Sequence, residues 1–525
     1  MDNHIRLLSL LKTKFSPVYA LLCLSLSLSI NVFAQTQSAA VSPTPTPTPT
    51  PAAKPSAKPA AAPAPIKLGS LTLSGSVRAR LENWDWYDTT AADDTYNFGA
   101  IVLRVAIGQT KEKFEWQIEG EAPVLINLPE RSIAPAPQGQ LGLGATYFAA
   151  NGRQDASGIL KQAFVRFKGV FGNAPSSLKI GRFEFSDGSE VAPADATLAA
   201  LKQNRISQRL IGPFAFTHVG RSFDGLQYVY NTKAANFTFL AVRPTVGAFD
   251  LDANKELDVD MWYGAFTKPL KHKSGESEYR LFALHYHDGR RVLKTDNRTQ
   301  ALRQADVENI RITSLGGHYV GAYKTGSGKT DVLLWGLGQF GTWGRLDHRA
   351  AAIAAEIGYQ PGGQAAAKIK PWLRAGYFRS TGDGDATDNT HGTFFQAMPT
   401  PRIYARFPFF NLMNNEDSFV QLSLKPHAKL ALRTDAHYLR LSSTKDLWYL
   451  GGGAFQKQTF GYVGRPSLNK NSLGWLADVS ADYTLSPRTT FSFYFGGSVG
   501  GSVQKAIYPL GNRSHFAYVE LTQKF

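Results

Sequence analysis

The chain is almost without thiols: of 525 residues only Cys23 is a cysteine, and it lies in an apolar stretch near the N-terminus. A lipoprotein signal wants a small residue just before its cysteine, and Leu22 stands there instead. If that stretch is removed on export, disulfides and thiolate metal sites are excluded. After residue 34 no apolar run is long enough to cross a bilayer as a helix, so a membrane-embedded chain must cross with strands. Acids are also scarce, 41 against 57 bases, giving a formal net charge of +16 and a mean hydropathy of -0.22.

What is present begins with an export pattern. Arg6, Lys12 and Lys14 precede the apolar stretch Leu21 to Ile30, and Val32-Phe33-Ala34 precede Gln35, which reads as a secretory signal peptide over residues 1–34 cleaved after Ala34. Its removal takes away three basic residues and one acidic residue and leaves +14. A basic balance points to nucleic acid, an anionic surface or an acidic solute. Export argues against nucleic acid and leaves lipopolysaccharide or an acidic solute. Residues 35–68 form a Pro/Thr/Ala-rich tract that cannot build a core and favours extended polyproline II, so a disordered periplasmic linker is expected there.

Residues 69–525 alternate with period 2. At the C-terminus Ala517, Val519, Leu521 and Phe525 face one way and Tyr518, Glu520, Thr522 and Lys524 the other, and the chain ends on an aromatic. Leu71, Leu73, Val77, Ala79 and Leu81 alternate likewise with Thr72, Ser74, Ser76, Arg78, Arg80 and Glu82, as do Trp475, Ala477, Val479, Ala481 and Tyr483 with their neighbours. Strands with lipid on one side and water on the other need this pattern. Turn signals divide the region into about eighteen strands, predicting an all-β, transmembrane up-and-down antiparallel barrel. Short turns are expected near Thr110, Gly172, Lys233, Lys271, Gly326, Gly362, Pro426 and Pro487. Long loops are expected at Asn83–Phe98, Pro123–Gly158, Ser186–Arg221, Asp288–Glu308, Ser380–Asp417, Ser442–Asn471 and Gly500–Arg513. Such a barrel is expected to enclose an aqueous channel rather than a packed interior, with Ser380–Asp417 folded over its mouth as a gate.

Several motifs have plain alternatives. Lys324 to Thr330 resembles a phosphate loop, but Tyr323 replaces the first glycine and strand-like runs flank it, so a hairpin turn is expected. His285 and His287 share a strand face while His318 lies elsewhere, with no third ligand at a zinc-like spacing. Asp383, Asp385 and Asp388 form a candidate calcium site on a loop, against an ordinary acidic turn, since no glutamate closes an EF-hand pattern. Ser222, His218 and Asp224 are close in sequence, yet catalytic triads draw their members from separate elements.

Alternation puts Arg78, Arg80, Arg104, Arg166, Lys168, Lys425, Arg433, Asp435 and His437 opposite the greasy residues of their strands, hence in the lumen. A mid-membrane arginine facing lipid would cost roughly 2–4 kcal/mol, which forces that register. Around Lys179 to Phe185 the alternation is ambiguous, and Arg182 and Glu184 are assigned to the lumen. Bases outnumber acids in this set, which suggests attraction of an anion beyond mere solvation of a pore.

The order Gly181-Arg182-Phe183-Glu184-Phe185, Arg209-Leu210-Ile211-Gly212, Arg221-Ser222-Phe223-Asp224-Gly225 resembles the bacterial alginate-export outer-membrane family. So does Gly382-Asp383-Gly384-Asp385, then His391 to Phe395, Pro399-Thr400, Asn411-Leu412-Met413 and Leu424-Lys425-Pro426. The resemblance implies an eighteen-stranded barrel whose basic lumen conducts an acidic polysaccharide outward behind gating loops. It nominates Arg182, Arg221, Lys425 and Arg433, with Asp224 and Asp435 as counter-charges. Phe183 and His218 depart from the family's usual Gln and Asn. The expectation is a monomeric outer-membrane channel without catalysis or cofactor, other than calcium on the acidic loop if it binds there. Its expected partners are the membrane and its lipopolysaccharide, the barrel-assembly machinery, an anionic polysaccharide and a periplasmic secretion partner. Uptake of small acidic solutes or oligosaccharides through the same barrel, and an outer-membrane hydrolase, are the alternatives.

Overall fold

A computed structural model of the protein describes residues 66–398, 403–450, 457 and 459–525. The expected signal peptide, the tract Gln35–Pro65 and the Pro399-Thr400 motif lie outside the described residues. Ile66–Leu68, which composition assigns to the linker, pairs with Leu71–Leu73.

Alternation becomes eighteen barrel strands. They are β1 (Leu71–Asp85), β2 (Thr95–Thr110), β3 (Phe114–Ile126), β4 (Ile159–Lys168), β5 (Ser176–Phe183), β6 (Phe223–Asn231), β7 (Asn236–Pro244), β8 (Val259–His272) and β9 (Gly275–Asp288). The second half comprises β10 (Ile310–Thr325), β11 (Gly328–Trp343), β12 (Leu346–Gln360), β13 (Trp372–Ser380), β14 (Glu416–His427), β15 (Leu430–Arg440), β16 (Ser472–Ser486), β17 (Thr489–Gly500) and β18 (Arg513–Lys524). Each pairs antiparallel with the next, and β18 returns to β1 from Ser76 opposite Lys524 to Asp85 opposite His515. Closure removes both sheet edges and satisfies the backbone within hydrocarbon. The last residue takes part: Phe525 exchanges two 3.0 Å backbone bonds with Gly75, and its ring lies where a Cβ on Gly75 would stand.

Outward positions such as Leu103, Leu281, Leu315, Leu334, Ile353 and Val420 are exposed hydrocarbon, the surface a barrel offers to lipid. All eight expected short turns lie on one rim. The opposite rim carries the long loops and two connections the turn signals do not reveal. One is 245–258, whose buried Val246, Phe249, Leu251 and Leu257 make it read as strand; the other is the two-residue turn Gly344-Arg345.

The interior differs from the expected open channel. Residues 184–222 descend so far that Asp195 meets Lys329 and Glu276 near the short-turn rim. The loop expected over the mouth enters the barrel at its described residues Met398, Ile403 and Arg406: Met398 bridges to Ile211, Ile403 reaches Arg205, and Arg406 reaches Tyr518. The physical reason is hydrocarbon. These loops carry Ile206, Leu210, Ile211, Phe214, Phe394, Phe407, Phe409 and Leu412, all buried against inward aromatics such as Trp84, Phe98, Tyr494 and Phe516. Burial at about 25 cal/mol per Å² of apolar area favours a packed loop over a solvated one.

Candidate functional site

In the short-turn half of the lumen, charges from neighbouring strands face one another. Glu115 pairs with Arg166 (2.6 Å) and Lys168 (3.8 Å). One level up, Arg104 meets Glu119 (2.6 Å), Glu184 (3.1 Å) and Glu121 (3.6 Å). Glu520 lies 2.6 Å from Arg80 and 3.8 Å from Arg78. Two polar cavities of about 160 and 140 Å³ occupy this half, the first lined by Ser74, Gln109, Glu115 and Gln117, the second by Arg78, Arg104, Glu121 and Lys161.

The second cavity ends at residues 213–220, a strap of backbone held inside the barrel against β1 and β4. Arg78 donates to the carbonyls of Ala215 (2.8 Å) and Thr217 (2.5 Å), Arg80 to that of Phe216 (2.9 Å), and Lys161 to that of Val219 (2.6 Å). The Arg80 guanidinium also sits between the rings of Phe216 and Tyr518, 4.4 and 4.6 Å from their centroids. His218 anchors the strap to Glu82 (3.1 Å). Burial pushes the imidazole down to about 4, further than Glu82 raises it, so it stays neutral and donates through Nε2.

The opposite wall holds the descending part of the same loop. Glu356 receives Arg205 through two bonds (2.8 and 3.0 Å) and lies 3.3 Å from Arg374 and 3.6 Å from Arg209; Arg374 also bonds Asp331. Lys202 donates to Glu278 (2.7 Å), which also meets His318, and Arg280 clasps Glu190. Within the loop Asp187 accepts the N–H groups of Leu210 and Ile211, and burial raises its carboxyl to about 7. Arg433 bonds Asp435 (2.6 Å) and the Tyr404 carbonyl (2.9 Å), and His437 lies 3.0 Å from Asp417.

The structure corrects several assignments. Arg182 and Asp224 do not line the lumen. They are directly opposed on β5 and β6 and form a two-pronged ion pair on the outward face, because Arg182 shares its side with exposed Ile180. At the strand ends this costs little, since the lipid-face penalty for charge falls to about 0–1 kcal/mol near the interface. Glu184 lies past the end of β5, where alternation stops, and turns inward to Arg104. Arg221 precedes β6 and is buried among the loops, with one nitrogen on the Met398 sulfur and Nη2 unpartnered among the described residues; burial lowers it to about 10. Lys425 keeps lumen-side parity but is exposed at the short-turn rim.

Asp383, Asp385 and Asp388 do not converge on a calcium site. The first accepts Asp385 N–H, the second Thr387 N–H, the third Thr390 N–H, and no three His, Cys, Asp or Glu side chains gather around a metal position among the described residues. Ser222 donates to the Lys161 carbonyl, His218 turns to Glu82 and Asp224 to Arg182, so no triad forms. Lys324–Thr330 spans the β10–β11 hairpin. His285 and His287 face outward beside Trp262 and Asp260, whereas His318 faces in.

Sequence reasoning missed Lys161, Lys202, Arg205, Arg209, Arg280 and Arg374, and most of their acids. Arg280 and Arg374 alternate with exposed Leu281, Leu373 and Tyr377, a signal as legible as that of Arg104. Lys161 carries none, because a bulge skips it between Gln162 and Leu160, giving two successive inward residues. With these included, bases and acids in the lumen are largely matched, unlike the basic excess of the expected set.

A family model described as alginate export matches residues 142–501. No curated protein matches the sequence. Among solved structures, Pseudomonas aeruginosa OccK9 (OpdG) is similar at 10% identity and a TM-score of 0.53, over 87% of this chain and 98% of that one. OccK2 (OpdF) of the same organism aligns at 10% identity and 0.52, over 87% and 97%. OpdK with vanillate aligns at 10% identity and 0.51, over 86% and 98%. At such identities the likeness shows a shared barrel fold.

Proposed function

Because this chain belongs to the alginate-export family, an outer-membrane channel family, we propose that it passes an anionic, uronate-type polysaccharide outward through its lumen, passively and without covalent chemistry. The carrying observation is the row of acceptors on Arg78, Arg80 and Lys161, supplied by the carbonyls of Ala215, Phe216, Thr217 and Val219. A uronate chain offers the same kind of row, with carboxylates as stronger acceptors than neutral carbonyls. When the strap withdraws, polymer oxygens take its place. Each cation keeps an acid partner, Glu520, Glu82 or Glu121, which tempers each contact so that a chain moves on rather than stalls.

Reversal potentials across a salt gradient in planar bilayers test this reading. The channel is expected to prefer anions, and Arg78→Gln, Arg80→Gln and Lys161→Gln together to lose that preference. Cation preference in the unmodified channel sinks the proposal. A second reading, uptake of small acidic solutes, is favoured by the cavities of about 140 and 160 Å³, which suit a single sugar better than a chain. Liposome flux of uronate monomer against polymer separates the two.

A further inference from the structure

On the outward surface of β13–β16, residues level with one another form rows. The row nearest the long loops is Arg379, Glu416 and Arg440. The next is Tyr377, Ser418, Tyr438 and Trp475, and the one below it Ala375, Val420, Ala436 and Ala477. Rows lie two residues apart, about 7 Å along a strand. Charge over aromatics over aliphatics is the sequence of layers met in passing from headgroups into hydrocarbon. Trp475 is 59% exposed and its ring packs 4.9 Å from that of Tyr438.

The top row is unbalanced. Arg379 and Arg440 both turn Nε toward the one carboxylate, at 3.4 and 3.3 Å from its two oxygens, while their side chains stay 55% and 45% exposed. Two half-exposed guanidiniums against one carboxylate leave a net positive charge. Elsewhere along this rim Arg182 is matched by Asp224, and Arg243 faces both Asp258 and Asp260. A planar guanidinium presents paired donors that suit phosphate oxygens. We propose that Arg379 and Arg440, splayed on Glu416 above the Tyr377–Tyr438–Trp475 band, bind the phosphate of a phosphorylated glycolipid in the outer leaflet, its acyl chains lying down the aliphatic rows. The site rests on the barrel's place in the outer membrane and is independent of what the lumen carries.

The test is native mass spectrometry of the detergent-purified full chain titrated with bis-phosphorylated lipid A. Retention is expected to fall roughly thirtyfold in Arg379→Gln/Arg440→Gln, about fivefold for each arginine near an anionic surface, and to stay unchanged in Arg243→Gln. Glu416→Gln frees both guanidiniums and is expected to tighten binding, a gain that a misfolded barrel cannot mimic. Dephosphorylated lipid A is expected to bind the unmodified chain weakly, and millimolar inorganic phosphate to displace little of the intact lipid. Equal retention by the double variant, equal binding of the dephosphorylated lipid, no tightening in Glu416→Gln, or ready displacement by inorganic phosphate each overturns the proposal.

Discussion

Glu356→Gln is the most informative single change for the inward loop. The native carboxylate is fully buried and faces three guanidiniums, Arg205, Arg209 and Arg374, with Asp331 the other acid in the cluster. An amide keeps the shape and removes the charge, leaving three cations to one acid. Breaking a buried pair in this way costs about 3–5 kcal/mol. The strain is relieved if residues 184–222 lift and Arg205 and Arg209 reach water. Since about 1.4 kcal/mol is a factor of ten, the ratio of lifted to seated loop is expected to rise on the order of a hundredfold or more. Single-channel recordings in planar bilayers read this directly as longer open dwell times, with heat-modifiable electrophoretic mobility showing that the barrel has folded. A folded variant with the dwell times of the unmodified chain refutes the reasoning, because the cluster would then not hold the loop down.

Two further changes probe the same loops. His218 is held neutral in the strap at about 4 and returns to its ordinary value near 6.5 when the strap is released. Between those values the released state binds more protons, so the seated strap loses stability as pH falls from about 6.5 toward 4, by at most about 3 kcal/mol. Asp187, raised to about 7, works the other way, losing stability for the seated loop as pH rises from about 4 to 7. The acid-induced opening is therefore read as the difference between the unmodified channel and His218→Asn; identical pH profiles contradict it. Arg221→Met replaces a buried guanidinium whose Nη2 lacks a partner among the described residues with an apolar chain, so the closed form is expected to gain about 1–3 kcal/mol, seen as a higher urea midpoint and rarer openings. A lower midpoint speaks against it.

Much of the barrel was legible because its controlling signal is local. Period-2 alternation assigns Arg78, Arg80, Arg104, Arg166, Lys168, Arg433, Asp435 and His437 to the face they occupy, since an arginine turned to hydrocarbon is penalised wherever its strand stands in the sheet. The closing strand and its terminal Phe525 follow the same rule. Where that period breaks, the reading fails: the bulge at Lys161 and the end of β5 after Phe183 each reverse a side chain's direction without a mark in composition. The fate of the loops was decided by tertiary structure alone. Whether Ile211, Phe214 and Phe407 lie over the mouth or inside it depends on aromatics contributed by strands hundreds of residues away, and on Glu356 and Glu278 waiting on the far wall. Alternation tells which way a strand residue points; only the closed barrel determines what it meets.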